Sequence, residues 1–159
     1  QIRWAVPASS WNFRKREIYR MSEVLANVSC VAMRGRAMLI TGVPGIGKSS
    51  LALALMDRGG ELIGDDGVTL SQVGELVVAT PPPNTEGLIE IRNVGILEVP
   101  TARAPVAIVL NLTSDAERLP LGHGEVDLLG RKVPQVDLCP DTPYLALRAE
   151  AALEMHGLD

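Results

Sequence analysis

The apolar positions of this chain fall into short runs separated by turn signals. Val28–Met33 is one run, Arg34-Gly35-Arg36 is a turn, and Ala37–Thr41 is a second run behind it. Short apolar runs bounded by turn residues predict strands. Lys48–Arg58 is longer and free of breakers, which predicts a helix. Leu51, Ala52, Leu53, Ala54, Leu55 and Met56 make it apolar nearly all round, so burial against a sheet is expected. Gly59-Gly60 marks its C-terminal stop. Further strands are expected at Glu61–Ile63, Leu88–Ile91, Ile96–Val99 and Lys132–Leu138, with Val68–Leu70 and Glu75–Val78 as a hairpin around Gly74. Pro105–Leu110 is the most hydrophobic run and is expected at the centre of the sheet. Pro81-Pro82-Pro83 and the polar stretch Ser114–Gly130 read as loops. Tyr144–His156 has helical spacing and Gly157 follows it. Mixed strands with few helices point to an α/β or α+β domain.

Composition narrows the class. The 159 residues are 47% apolar and 21% charged, which suits one domain with a sizeable core rather than a disordered chain. No apolar run approaches the roughly 18 residues that span a bilayer, so no membrane role is expected. Residues 1–20 lack the apolar stretch of a signal peptide. Cys30 and Cys139 are too few for a disulfide framework and read as small core residues; a reducing, cytoplasmic setting is expected. A net charge of −4 argues against a nucleic-acid binder that works by neutralising phosphates. The charge is uneven: residues 1–20 carry +4 and residues 21–159 carry −8. The expected organisation is a basic arm or non-native extension over 1–20, with Met21 as the natural start, and one domain over 21–159. Trp4, Trp11 and Phe13 suggest that the arm docks partly on the domain.

One motif dominates. Gly42-Val43-Pro44-Gly45-Ile46-Gly47-Lys48-Ser49 fits G-x-x-x-x-G-K-[ST] in full, behind an apolar strand and ahead of a helix. That context identifies a phosphate-binding loop, or P-loop. Its glycines let backbone N–H groups converge on phosphate oxygens, and the helix N-terminus adds partial positive charge. Lys48 is expected to reach the β- and γ-phosphates, and the Ser49 hydroxyl to hold Mg²⁺. Ordinary P-loop enzymes also place a metal-supporting Asp after a neighbouring apolar strand. The best strand here ends at Asn111 instead, and a carboxylate pair follows the strand after the P-loop helix: Asp65-Asp66. Beside a triphosphate, such a pair can supply metal support and a general base for an acceptor hydroxyl. Asp-Asp-Gly is also an ordinary turn sequence.

These residues resemble a known family. Ile40 to Leu70, ITGVPGIGKSSLALALMDRGGELIGDDGVTL, is similar to the catalytic domain of HPr kinase/phosphorylase, whose pattern is a P-loop, a buried helix and a double aspartate. The spacing from Lys48 to Asp66 matches. Leu88–Leu97, LIEIRNVGIL, is similar to the family's L-E-I-R-G-x-G-I segment, and Leu145–Ala152, LALRAEAA, to its last helix. The resemblance runs over about residues 27–155. It implies a fold like that of phosphoenolpyruvate carboxykinase: a P-loop α/β domain with a mixed sheet, a buried P-loop helix and a C-terminal helix. It implies an ATP- and Mg²⁺-dependent serine kinase acting on an HPr-type phosphocarrier protein, within phosphotransferase-system regulation of carbon metabolism. It also implies a homo-oligomer, since members are commonly hexamers.

The implied roles fall on specific residues. Gly42 to Ser50 would cradle the nucleotide phosphates, with Lys48 on the phosphates. Ser49 and Glu90 would hold Mg²⁺. Asp66 would take the proton of the acceptor serine and Asp65 would support it. Arg92 lies in the segment tied to catalysis, and Arg118 is the best match to a further arginine near the phosphate. The chain departs from the pattern at Asn27, where the family has a titratable His, and at Ser50, where Glu is frequent. It departs again at Leu138–Pro143, where two arginines linked to dephosphorylation are missing. Phosphorylase activity is therefore expected to be weak. The family's large N-terminal domain has no counterpart here, so the pattern resembles the short, single-domain versions of some Gram-negative bacteria. His123 could replace the missing His, though a solvated loop histidine is the simpler reading; His156 reads as helix-end polarity. Two alternatives remain beside the kinase: a non-catalytic ATP-binding sensor, and a different P-loop small-molecule kinase.

Overall fold

The computed structural model describes residues 21–159. The expected basic arm and its Trp4, Trp11 and Phe13 lie outside the described residues. Eleven strands and two helices follow one another among them. The strands are β1 (Ser22–Ala26), β2 (Ser29–Met33), β3 (Arg36–Thr41), β4 (Glu61–Gly64), β5 (Gly67–Val73), β6 (Leu76–Thr80), β7 (Leu88–Ile91), β8 (Gly95–Glu98), β9 (Ala104–Leu112), β10 (Gly124–Leu128) and β11 (Arg131–Leu138). The helices are α1 (Lys48–Asp57), between β3 and β4, and α2 (Leu145–His156), after β11.

Nine strands form one mixed sheet in the order β1-β5-β6-β9-β3-β2-β4, with β11 also on β9 and β10 outside β11. β9 is central, as its hydrophobicity predicts. It pairs in parallel with β3 and with β11, and its first residues pair antiparallel with β6. β7 and β8 form a separate hairpin.

Both faces of the central strands are apolar, because each face has its own core. On β3, Met38 and Ile40 face the helices, while Ala37 and Leu39 face the opposite way. Leu51 and Leu55 of α1 and Ala149 and Leu153 of α2 fill the first core with Ile108 and Leu110 of β9. Val68, Leu70, Val77, Val106 and Val133 close the second core beneath the curled sheet. Truncating a fully buried Leu or Ile in such a core costs about 2–5 kcal/mol. Alternation on β9 slips at one place. Val106 pairs with Ala37 and Ile108 with Met38, so Ala107 is an extra residue and sits on the same face as Ile108. Its carbonyl accepts the Leu158 N–H at 2.9 Å, which ties the C-terminal tail to the bulge.

The structure corrects three expectations. Ser114–Gly130 is not loop throughout: Gly124–Leu128 is β10, paired antiparallel with β11. Ser22–Ala26, where no strand is expected because the first apolar run starts at Val28, is an edge strand on β5. Helix α1 is less enclosed than its composition suggests. Leu51, Ala52 and Leu55 are buried, whereas Leu53, Ala54 and Met56 are half-buried, because α2 covers only part of its outer face. The ion pair of Arg58 with Glu150 joins the two helices at that boundary.

A candidate phosphoryl-transfer site at one edge of the sheet

Strand direction gathers the chemistry at one edge. β3, β9 and β11 run parallel, and β4 runs with them, because β2 is antiparallel to both β3 and β4. The loops after β3, β4, β9 and β11 therefore leave from the same edge. That edge is where open α/β sheets bind ligands.

The loop after β3 is the P-loop. Gly42 sits at φ +151°, and a Cβ there would meet Ile46 Cγ2 at 2.8 Å and the Leu112 carbonyl at 3.1 Å. The loop thus starts in direct contact with the end of β9, and only glycine fits. Lys48 Nζ donates to the carbonyls of Gly42 at 2.7 Å and Val43 at 3.0 Å. Its ammonium is folded onto the loop that would hold the phosphates, where a phosphate oxygen can replace those carbonyls.

The turn after β4 separates the two aspartates. A Cβ on Gly64 would lie 2.0 Å from the Gly67 carbonyl, so the chain doubles back within four residues. Asp65 is buried, and Asp66, at φ +59°, is exposed. Asp65 Oδ1 accepts the hydroxyls of Ser49 at 2.7 Å and Ser29 at 2.9 Å. Its Oδ2 accepts the Glu90 backbone N–H at 3.3 Å. One carboxylate therefore joins β2, the start of α1 and the β7–β8 hairpin. The Asp66 carboxylate makes no hydrogen bond among the described residues. Its backbone carbonyl accepts the Asn27 N–H at 3.2 Å.

A cleft of about 220 Å³ opens between these parts, with Asn27, Lys48, Ser49, Asp66, Glu90 and Arg92 on its walls. Pro44, Gly45, Gly47 and Ser50 of the loop also line it. The structure thus brings together every expected site residue except Arg118. Arg118 is exposed in the segment after β9 and is not on the cleft. His123 is also elsewhere, 5.2 Å from the ring of His156, so it does not fill the place of the absent His beside Asn27. Burial pushes the Cys30 thiol up, which leaves it an inert core residue.

Two residues went unassigned in the sequence reading. Ser29 lies in an apolar strand, and nothing local marks its hydroxyl for Asp65. Asn111 stands where an ordinary P-loop enzyme has its Asp. Its Oδ1 accepts the Thr41 hydroxyl at 3.0 Å and its Nδ2 donates to Asp137 at 3.0 Å. This relay joins β3, β9 and β11 directly under the P-loop.

A sequence profile described as the HPr Serine kinase C-terminal domain matches residues 21–140. The chain belongs to that family. It is 32% identical over 144 residues to the HPr kinase/phosphorylase of Burkholderia cenocepacia (strain HI2424), across 79% of this chain and 45% of the relative. The enzyme of the same name from Paraburkholderia phymatum matches to the same extent. The chain therefore spans a little under half the length of the curated relatives it matches. Among solved structures, the Hpr(Ser) kinase/phosphatase from Coxiella burnetii aligns with a TM-score of 0.73 and 28% identity, over 84% of this chain and 95% of that one. As an HPr serine kinase C-terminal domain, the chain keeps the cleft residues wholly inside the matched span, while α2 lies beyond it.

Proposed function

We propose that this chain is the catalytic part of an ATP- and Mg²⁺-dependent protein-serine kinase that phosphorylates an HPr-type phosphocarrier protein. The hydrogen bond from Ser49 to the buried Asp65 at 2.7 Å, with Asp66 turned out into the same cleft, carries this reading. It gives one carboxylate to the phosphate and metal side and leaves the other free for the acceptor. The resemblance to HPr kinase/phosphorylases supports the choice of acceptor.

The side chains fit a hard cation. Ser49 and Glu90 offer oxygens on the cleft wall, backed by Asp65. Among the described residues no group of three or more His, Cys, Asp or Glu could hold a metal ion. Mg²⁺ fits this sparse set, because it is usually bound by one or two carboxylates, with substrate phosphates and waters completing its shell. When bound, the ion neutralises charge on the transferring phosphate.

In this reading Lys48 leaves the Gly42 and Val43 carbonyls for the β- and γ-phosphates. Asp66 accepts the proton of the serine hydroxyl. The serine oxygen bonds to the γ-phosphorus as its bond to the β–γ bridging oxygen breaks, and ADP departs. Arg92 offers positive charge at the cleft wall. Asp65 holds Ser49 and the Glu90 backbone in register. In the reverse direction Asp66 returns that proton; because the two arginines linked to dephosphorylation are missing at Leu138–Pro143 and Asn27 cannot titrate, phosphorylase activity is weak. A homo-oligomer in the cytoplasm belongs to the same reading.

The test is intact-mass spectrometry of an HPr-type phosphocarrier protein after incubation with this chain, ATP and Mg²⁺. The expected result is one added phosphate on serine, lost with Lys48→Ala. No addition, alongside clear ATP binding by calorimetry, would refute the kinase assignment and favour a nucleotide sensor.

A further inference from the structure

In the kinase reading the cleft beside Asp66 takes the phosphates and an acceptor hydroxyl, and its volume of about 220 Å³ leaves the nucleoside unplaced. We propose that the nucleoside of ATP lies in the open cavity of about 520 Å³ at the carboxyl ends of β9 and β11. This rests on the kinase reading above and adds a direction to it.

Three observations converge on that cavity. The first is order along the sheet edge: β11, β9, β3, β2, β4. The P-loop follows β3 in the middle. Asp66 and Asn27 flank it on the β2–β4 side, and the cavity flanks it on the β9–β11 side. Phosphoryl transfer requires attacking and leaving oxygens roughly in line. With the base at Asp66, ADP departs away from β4, which is toward β9 and β11.

The second is contact. Asp137 lines the cavity, and the Asp137–Asn111–Thr41 relay, at 3.0 Å per link, ends one residue before Gly42. β3 and β11 are two strand spacings apart, about 10 Å. Gly42 also abuts Leu112, from which the chain runs on into the cavity wall at Asp115. The cavity is therefore the near neighbour of the phosphate loop on that side.

The third is chemistry. Asp115, Glu117 and Asp137 repel phosphate but accept hydrogen bonds from ribose hydroxyls, and Gln135 can pair with a base edge. Leu121, beside them, is exposed and offers apolar surface to a base. The lining thus suits the neutral end of a nucleotide and rejects the charged end, whereas the P-loop does the opposite. The same polarity sets the molecule's direction across the edge.

Photolabelling of the unmodified protein with 8-azido-ATP and Mg²⁺, followed by peptide mapping, tests this directly. Label on residues 113–124 or 133–138 is expected, with competition by ATP. Label on Asn27–Ser29 or Leu88–Glu98 would overturn the proposal and leave the kinase reading intact. A second arm uses Gln135→Trp, which fills the cavity from a β11 position. ATP affinity measured by calorimetry should fall about tenfold or more, while inorganic triphosphate affinity stays within about twofold. Equal losses for both ligands, or none for either, would also overturn it. If the unmodified protein binds neither ligand, the kinase reading fails and this one with it.

Discussion

Replacing Ser29 with alanine removes one hydroxyl and tests whether Asp65 is held as the junction of the site. Ser29 is 1% exposed, so no water takes its place easily, and alanine leaves no unpaired donor of its own. What is lost is a hydrogen bond of 2.9 Å to a carboxylate that is itself 6% exposed. Hydrogen bonds to charged groups contribute about 1.5–3 kcal/mol each. Oδ1 keeps Ser49, so the carboxylate is weakened rather than orphaned, and the same range applies to the substitution. For a domain near this size, about 2–4 °C of melting temperature accompanies each kcal/mol. Ser29→Ala should therefore lower the melting temperature by roughly 3–12 °C.

The assay is urea unfolding of the unmodified protein, Ser29→Ala, Ser49→Ala and the double variant. The two serines donate to the same oxygen. Removing both leaves a buried carboxylate with only the Glu90 N–H, so the double variant should be worse than the two single losses combined, by about 0.5 kcal/mol or more. A Ser29→Ala cost below about 0.5 kcal/mol, or strict additivity in the cycle, would show that Asp65 is not held as described.

Asp66→Asn should slow phosphotransfer by about 10²–10⁴-fold while ATP affinity by calorimetry changes little, because a base acts in the transition state; near-normal transfer would refute the base assignment. Gly42→Ala should abolish nucleotide binding in the same calorimeter, since its Cβ would lie 2.8 Å from Ile46 Cγ2 and 3.1 Å from the Leu112 carbonyl. Burial pushes the Cys30 thiol up, so above the ordinary thiol range the unfolded chain loses a proton that the folded chain keeps. That contribution is full below the range and is lost as pH rises. Stability in urea should fall between about pH 8 and about pH 10, and Cys30→Ala should flatten the decline.

The parts of this molecule that were legible in the sequence are those whose signal is local. The P-loop is one contiguous string with a strand before it and a helix after it. β9 announces its central place through an unbroken apolar run that needs cover on both faces. β1 and β10 were invisible for the opposite reason. Both are edge strands with mostly exposed side chains, so no apolar pattern marks them, and only pairing with β5 and β11 makes them strands. The site follows the same division. Lys48 and Ser49 follow from the motif. Glu90 and Arg92 came only from family resemblance, because a separate hairpin brings them in across sequence distance. The Ser29 and Asn111 hydrogen bonds depend on strand register, which no local pattern specifies.

Backbone geometry separates two aspartates that are adjacent in the chain. Composition alone leaves Asp65 and Asp66 equivalent, and only the family resemblance implies Asp66 as the base with Asp65 in support. The turn from Gly64 to Gly67 is so tight that neighbouring side chains leave on opposite sides, and the positive φ of Asp66 directs the second one outward. Asp65 then meets two hydroxyls and a backbone N–H, which occupy most of its acceptor capacity and fix its position. Asp66 meets the cleft with both oxygens unclaimed by the described residues, which is what a proton acceptor needs. The roles cannot be exchanged by substitution. An amide at 65 keeps one oxygen for the two hydroxyls but turns its NH₂ against the Glu90 N–H in a buried site, a structural fault. The same amide at 66 would face the open cleft and, under the proposed roles, remove only the base.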